Sequence, residues 1–131
     1  MKQNLELKLH LSEESYPAMF TDKDRLFQIL CVFMDNAIQH SKNNSLIEIE
    51  VIATEKNIAF SVADHGQGIS DEDKQYIFDR FYSGDKSHTN KSNFGLGLSI
   101  AKELTQMLNG IIIINDTAGG GATFTVKFPL K

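Results

Sequence analysis

The chain of 131 residues has a single cysteine and no tryptophan. Cys31 has no partner for an intrachain disulfide, so a small disulfide-stapled secreted framework is excluded and a reducing compartment fits best. Long apolar runs are lacking as well. The longest, Ile29 to Met34, has six residues, against the roughly 18 that a membrane-spanning helix needs. No charged, then apolar, then small-residue leader opens the chain, so neither membrane passage nor export is expected. Positive charge is in short supply: thirteen Lys and Arg face seventeen Asp and Glu, a net charge of −4. That balance argues against nonspecific attachment to nucleic acid or to an anionic membrane, so an anionic ligand has to be held by local groups. What remains, 41% hydrophobic and 23% charged residues, is the composition of a soluble globular protein rather than a disordered or collagen-like one. Its size suits one domain with a single core.

Leu5, Leu7, Leu9 and Leu11 alternate with Glu6, Lys8 and His10, which predicts a half-buried strand ending near Ser12. Thr21 with Asp24 reads as a capping box, followed by a core helix over 22–41 carrying Leu26, Leu30, Phe33, Met34, Ala37 and Ile38. Ile47, Ile49 and Val51, then Ile58, Phe60 and Val62, predict two antiparallel strands around a turn at Glu55 to Asn57. Ser70 can cap a short acidic-fronted helix from Asp71 to Phe78. A second long helix opens at Gly95-Leu96-Gly97 and closes at Asn109-Gly110; strands over 111–115 and 122–128 flank three consecutive glycines. The expected fold class is α+β: two layers, with helices on one face of a mixed, mostly antiparallel sheet of at least four strands.

Three segments carry candidate chemistry. Asn36 lies three residues after Phe33, near the apolar face of the first long helix. A buried amide there either bonds to backbone or offers a hard oxygen to a magnesium ion. Asp35 is turned about 100° away and is expected in solvent. Asp64, Gly66 and Gly68 form D-x-G-x-G directly after a strand. A carboxylate at a strand end can accept from an exocyclic amine, and bare glycine backbone admits a flat ring; an ordinary turn is the alternative. Asn93 to Leu98 pass from loop to helix start, where freed backbone N–H groups suit phosphate. No strand precedes this G-x-G in a βαβ unit and no Lys-Ser/Thr follows, so Rossmann and P-loop readings both fail. From Arg80 to Asn93 three cations, Arg80, Lys86 and Lys91, meet one carboxylate, Asp85. Such a basic segment, devoid of aliphatic residues over about 83–94, can close over a triphosphate.

Together and in this order, these segments resemble the catalytic and ATP-binding domain of bacterial two-component sensor histidine kinases, within the Bergerat-fold ATPases. Arg25 to Leu30 leading to Asp35-Asn36-Ala37 looks like the N box, Asp64 to Gly68 like the G1 box, Ile77 to Tyr82 like the F box, and Gly95 to Ile100 like the G2 box. Gly121 to Val126 with Pro129 looks like the family's last strand. The resemblance implies a single domain over 1–131 with Asn36 ligating Mg2+ and Asp64 receiving the adenine amine. Gly66 and Gly68 shape the base pocket, and Gly95, Gly97 and Leu98 offer backbone N–H to phosphate. Arg80 faces the γ-phosphate, Lys86 or Lys91 adds charge, His40 packs against the nucleotide, and Thr123 sits near the adenine. It further implies ATP and Mg2+ as cofactors, and γ-phosphoryl transfer to a histidine of a dimerisation and phosphoacceptor domain. A response regulator would act downstream, the location would be cytoplasmic with a parent protein anchored in the membrane, and the isolated domain would be a monomer.

The sequence departs from the family pattern in places. Val32 stands one turn before Asn36, where the family often has Asn, and hydrolysing relatives a catalytic Glu; Gln39 replaces a common Lys or Arg. None of His10, His40, His65 and His88 lies in an acceptor-like motif, so the acceptor is expected outside this chain. A catalytically weakened nucleotide-binding module and an anti-sigma-type serine kinase of the same fold are the alternatives.

Overall fold

In the computed structural model, residues 5–12, 16, 21–79 and 97–130 are described. The chain runs β1 (Leu5–Leu11), α1 (Lys23–His40), β2 (Ser45–Ala53), β3 (Asn57–Ala63), α2 (Asp71–Lys74), α3 (Gly97–Met107), β4 (Ile111–Asp116) and β5 (Ala122–Pro129). The five strands form one sheet in the order β1-β2-β3-β5-β4. β1 pairs parallel to β2, and the other neighbours are antiparallel. The mixed, mostly antiparallel sheet of an α+β fold is thus present.

Side-chain period fixes the inner face. Along β5, Ala122, Phe124, Val126 and Phe128 are buried while Thr123, Thr125 and Lys127 turn outward. α1 answers with Ile29, Phe33, Asn36 and Ala37, spaced to occupy one helical stripe, and α3 with Leu98, Ala101 and Thr105. Phe33 meets Phe124 at a ring separation of 5.4 Å, and Phe78 stands edge-on to Phe124 at 6.4 Å. Burying each large apolar side chain of this kind is worth about 1.5–3 kcal/mol.

Several local expectations are corrected. Asp22, not Thr21, caps α1: its Oδ1 accepts from the Asp24 and Arg25 amides at 3.1 and 3.2 Å. A carboxylate at that point also complements the helix dipole. Ser70 caps α2 as expected, through the Asp73 amide, yet the helix stops at Lys74 and continues as turns to Phe78. On β1 the leucine alternation does not bring half-burial. Leu7, Leu9 and Leu11 are each more than half exposed, because β1 is an edge strand beyond the part of the sheet on which α1 rests. The 83–94 segment lies outside the described residues. No helix among the described residues is long and apolar enough to cross a membrane.

Candidate functional site

Asp64 follows β3 on the inner side of the sheet and is 4% exposed. Its Oδ1 accepts from the Gly66 amide at 2.9 Å and from the Ala122 amide at 3.2 Å. The Asp64 amide in turn donates to the Ala122 carbonyl at 3.0 Å. Two backbone donors on one oxygen fix the carboxylate's orientation, and no hydrogen bond among the described residues engages Oδ2. That oxygen is left as an acceptor for an incoming donor such as an amine.

Two close approaches hold the turn around it. A side chain on Gly66 would run into the carbonyl of His40 at the end of α1. One on Gly121 would run into the carbonyl of Asp64, and Gly121 adopts φ +115°, a region that disfavours other residues. Gly121, read from the motifs only as the start of the last strand, also shapes the turn beside Asp64. Its signal was the run of three glycines, all three with positive φ.

The helix α1 joins the ends of the site. Val32, Asn36 and His40 are spaced four apart and so lie along one helical row. Val32 Cγ1 stands 3.5 Å from where a Cβ on Gly97 would lie, placing that end of the row beside the start of α3. His40 packs its backbone against Gly66 and feels the charge of Asp64 at the other. Burial holds the His40 imidazole below its ordinary pKa, the Asp64 charge opposing this more weakly, so at neutral pH His40 presents an uncharged ring.

Between the two ends sits Asn36, 5% exposed, whose Oδ1 has no hydrogen-bond partner among the described residues. A buried amide oxygen left without a donor suits a hard divalent cation, and backbone bonding of that oxygen is not what the structure contains. Asp35, the other candidate, is exposed as expected. The first turn of α3, from Gly97, carries no acidic side chain, and backbone N–H groups at such a helix start suit an anion.

The structure therefore brings Asp64, Gly66, Gly68, His40, Asn36, Gly97 and Leu98 around one region. It does not bring Thr123 there. Neighbouring Ala122 and Phe124 point inward, which sends Thr123 to the outer face, where its hydroxyl lies 2.9 Å from that of Thr117. Arg80, Lys86, Lys91 and Gly95 lie outside the described residues.

Residues 21–131 match the model of the family described as histidine kinase-, DNA gyrase B- and HSP90-like ATPases. The chain belongs to this family. Within it, the chain is similar to the sensor protein CiaH of Streptococcus pneumoniae, 40% identical over 112 residues, covering 85% of this chain and 25% of that protein. Among solved structures, the catalytic domain of the histidine kinase ThkA superposes with a TM-score of 0.83 at 25% identity, over 97% of this chain and 81% of that one. Full-length ShkA in complex with AMPPNP superposes with a TM-score of 0.81 at 28% identity, over 96% of this chain and 26% of that one. The chain thus spans about a quarter of the length of the curated relative. It is an ATPase-family domain of the sensor histidine kinase type, with the α+β Bergerat architecture that the motifs imply.

Proposed function

We propose that this domain binds Mg-ATP along the row from Asp64 to Gly97 and passes the γ-phosphoryl group to a histidine of a separate dimerisation and phosphoacceptor domain. In that reading Asp64 Oδ2 accepts the adenine amine, while Gly66 and Gly68 leave room for the ring and His40 packs against the nucleotide. Gly95, Gly97 and Leu98 offer backbone N–H to the phosphates, and Arg80 with Lys86 supplies charge at the γ end. Asn36 Oδ1 is the protein ligand for Mg2+, which when bound neutralises phosphate charge. The residues contribute by positioning: the base is anchored at one end of α1 and the phosphates at the start of α3, so the terminal phosphoryl group faces outward to an acceptor nitrogen. The acceptor nitrogen forms the new P–N bond as the bond from phosphorus to the β–γ bridging oxygen breaks, and ADP leaves with that electron pair. A response regulator would take the phosphoryl group next, and such a domain would work in the cytoplasm of a parent protein that can be membrane-anchored.

The observation that carries this reading is the Asp64 carboxylate, buried, with Oδ1 tied by two backbone amides and Oδ2 without a partner among the described residues. Calorimetric titration of ATP with and without magnesium tests it, on the wild type, Asp64→Asn and Asn36→Ala. Binding that is lost in the first variant and loses its magnesium dependence in the second supports it. Absence of binding in the wild type overturns it. Val32, an apolar side chain beside Gly97 that can neither ligate metal nor activate water, favours a second reading as a nucleotide-binding module with little turnover. Phosphoryl transfer to a supplied acceptor domain would exclude that second reading.

A further inference from the structure

The outer face of the sheet carries a cluster that the nucleotide site does not use. Asp64 and His65 are consecutive and point to opposite sides of the sheet: Asp64 inward, His65 outward to β2. There His65 Nε2 lies 2.9 Å from Glu48 Oε1, and His10 Nε2, from β1, lies 3.0 Å from Glu48 Oε2. Both oxygens of one carboxylate are therefore taken by imidazoles from different parts of the fold, each about a third to two-fifths exposed. His65 is not a free surface residue. Its Cα sits against Gly121, and its peptide neighbours are Asp64 and Gly66, the acceptor and one of the two donors that orient the base-binding carboxylate.

We propose that Glu48 is a positioning residue for the base end of the nucleotide site, acting through His65, and that His10, by sharing the carboxylate, makes this hold sensitive to protons. The inference rests on the nucleotide reading given above. Glu48 is held below the ordinary carboxylate pKa by its hydrogen bonds from His65 and then His10, so it is ionised at neutral pH. A neutral imidazole bonds to it only as the Nε2–H tautomer, and a protonated one always donates, through a charge-assisted bond about twice as strong. Acidification thus tightens the grip on residue 65.

The other charged groups on this face, among the described residues, are Glu6 and Lys8 on β1, Glu50 on β2 and Lys127 on β5; β3 offers Ser61 and Ala63. Lys8 is in register with Glu48, and Glu50 with His10. Asp64, on the inner face, adds a negative charge adjoining His65, and the half-buried His40 adds none when neutral.

The test compares wild type, Glu48→Gln, His65→Gln and His10→Gln from pH 8 to pH 6 with two readouts. The first is the NMR shift of the Gly66 amide without ligand. The second is affinity for Mg-AMPPNP, whose own phosphate titration is common to all variants. In the wild type the Gly66 amide should follow a histidine titration, and affinity at pH 6 should exceed that of Glu48→Gln by about fivefold, the difference between a charge-assisted and a neutral hydrogen bond. His65→Gln should behave like Glu48→Gln, and serves in its place if that variant does not fold; His10→Gln should keep the Gly66 response but shift its midpoint. A Gly66 amide and a pH dependence of affinity that are the same in wild type and in the folded variants overturn the proposal while leaving the nucleotide site intact. A wild type that does not bind Mg-AMPPNP at any pH overturns the nucleotide reading and this one with it.

Discussion

The carbonyl oxygen of His40, at the last residue of α1, occupies the space that a side chain on Gly66 would need. The end of the helix and the D-x-G-x-G turn therefore fit together only while residue 66 is glycine. Gly66→Ala should cost about 1–3 kcal/mol, the range for forcing a methyl group into a filled site, and should weaken ATP binding more than tenfold by displacing the Asp64 carboxylate. Gly119→Ala is the control: nothing stands within 4 Å of its added carbon, although φ is +87°. It should cost about 1–2 kcal/mol from backbone conformation alone and leave ATP affinity within twofold. Equal losses of affinity in the two variants, measured by calorimetry, would contradict the contact argument.

The packing of α1 on β5 passes through Phe33, fully buried and in ring contact with Phe124. Phe33→Ala removes a ring that the surrounding core cannot replace, at about 3–5 kcal/mol. Against the roughly 5–15 kcal/mol of stability usual for a domain, that loss should move the urea midpoint sharply down. Asn36 lies one turn away on the same buried stripe, so magnesium-dependent ATP binding should fall together with the fold rather than separately from it.

Thr123 supplies a sharper test of which sheet face the site uses. Its hydroxyl pairs with Thr117, away from Asp64. Thr123→Val should cost about 1 kcal/mol for the lost hydrogen bond and leave ATP affinity within twofold, whereas Ala122→Val, on the buried side beside Asp64, should weaken it. The opposite ranking would return Thr123 to the site.

The elements of this fold were largely legible because their periods are clean. Ile58-Phe60-Val62 reads inward at period two, which carries Asp64 inward as well. The same rule, applied to Phe124 and Val126, places Thr123 outward, because a step of one residue flips the face. The helix start was ambiguous because Thr21 and Asp22 are both capable caps, and only backbone geometry shows which amides Asp22 reaches. The exposure of Leu7, Leu9 and Leu11 depends on strand order, which alternation does not encode. The bond between Glu48 and His65 joins residues 17 apart in sequence. It follows from the pairing of Glu48 with Ala63, a register that composition and spacing leave open.

Acid should destabilise the domain in two steps. Burial holds the His40 pKa below its ordinary value, and two imidazoles hold Glu48 below its own. For both groups the unfolded chain binds more protons than the folded one inside the window between the two pKa values, so stability rises with pH across that window. The His40 contribution is complete above about pH 6.5 and is lost as pH falls through the lower folded value. The Glu48 contribution is complete above about pH 4.3 and is lost further into acid. Urea midpoints from pH 8 to pH 4 should therefore hold steady down to near neutrality and then decline. In His40→Gln the decline below about pH 6.5 should be shallower than in the wild type, while the later fall through Glu48 persists. Parallel curves for the two proteins across pH 5–7 would mean that the half-buried imidazole accepts its proton in the folded state as readily as in the unfolded one.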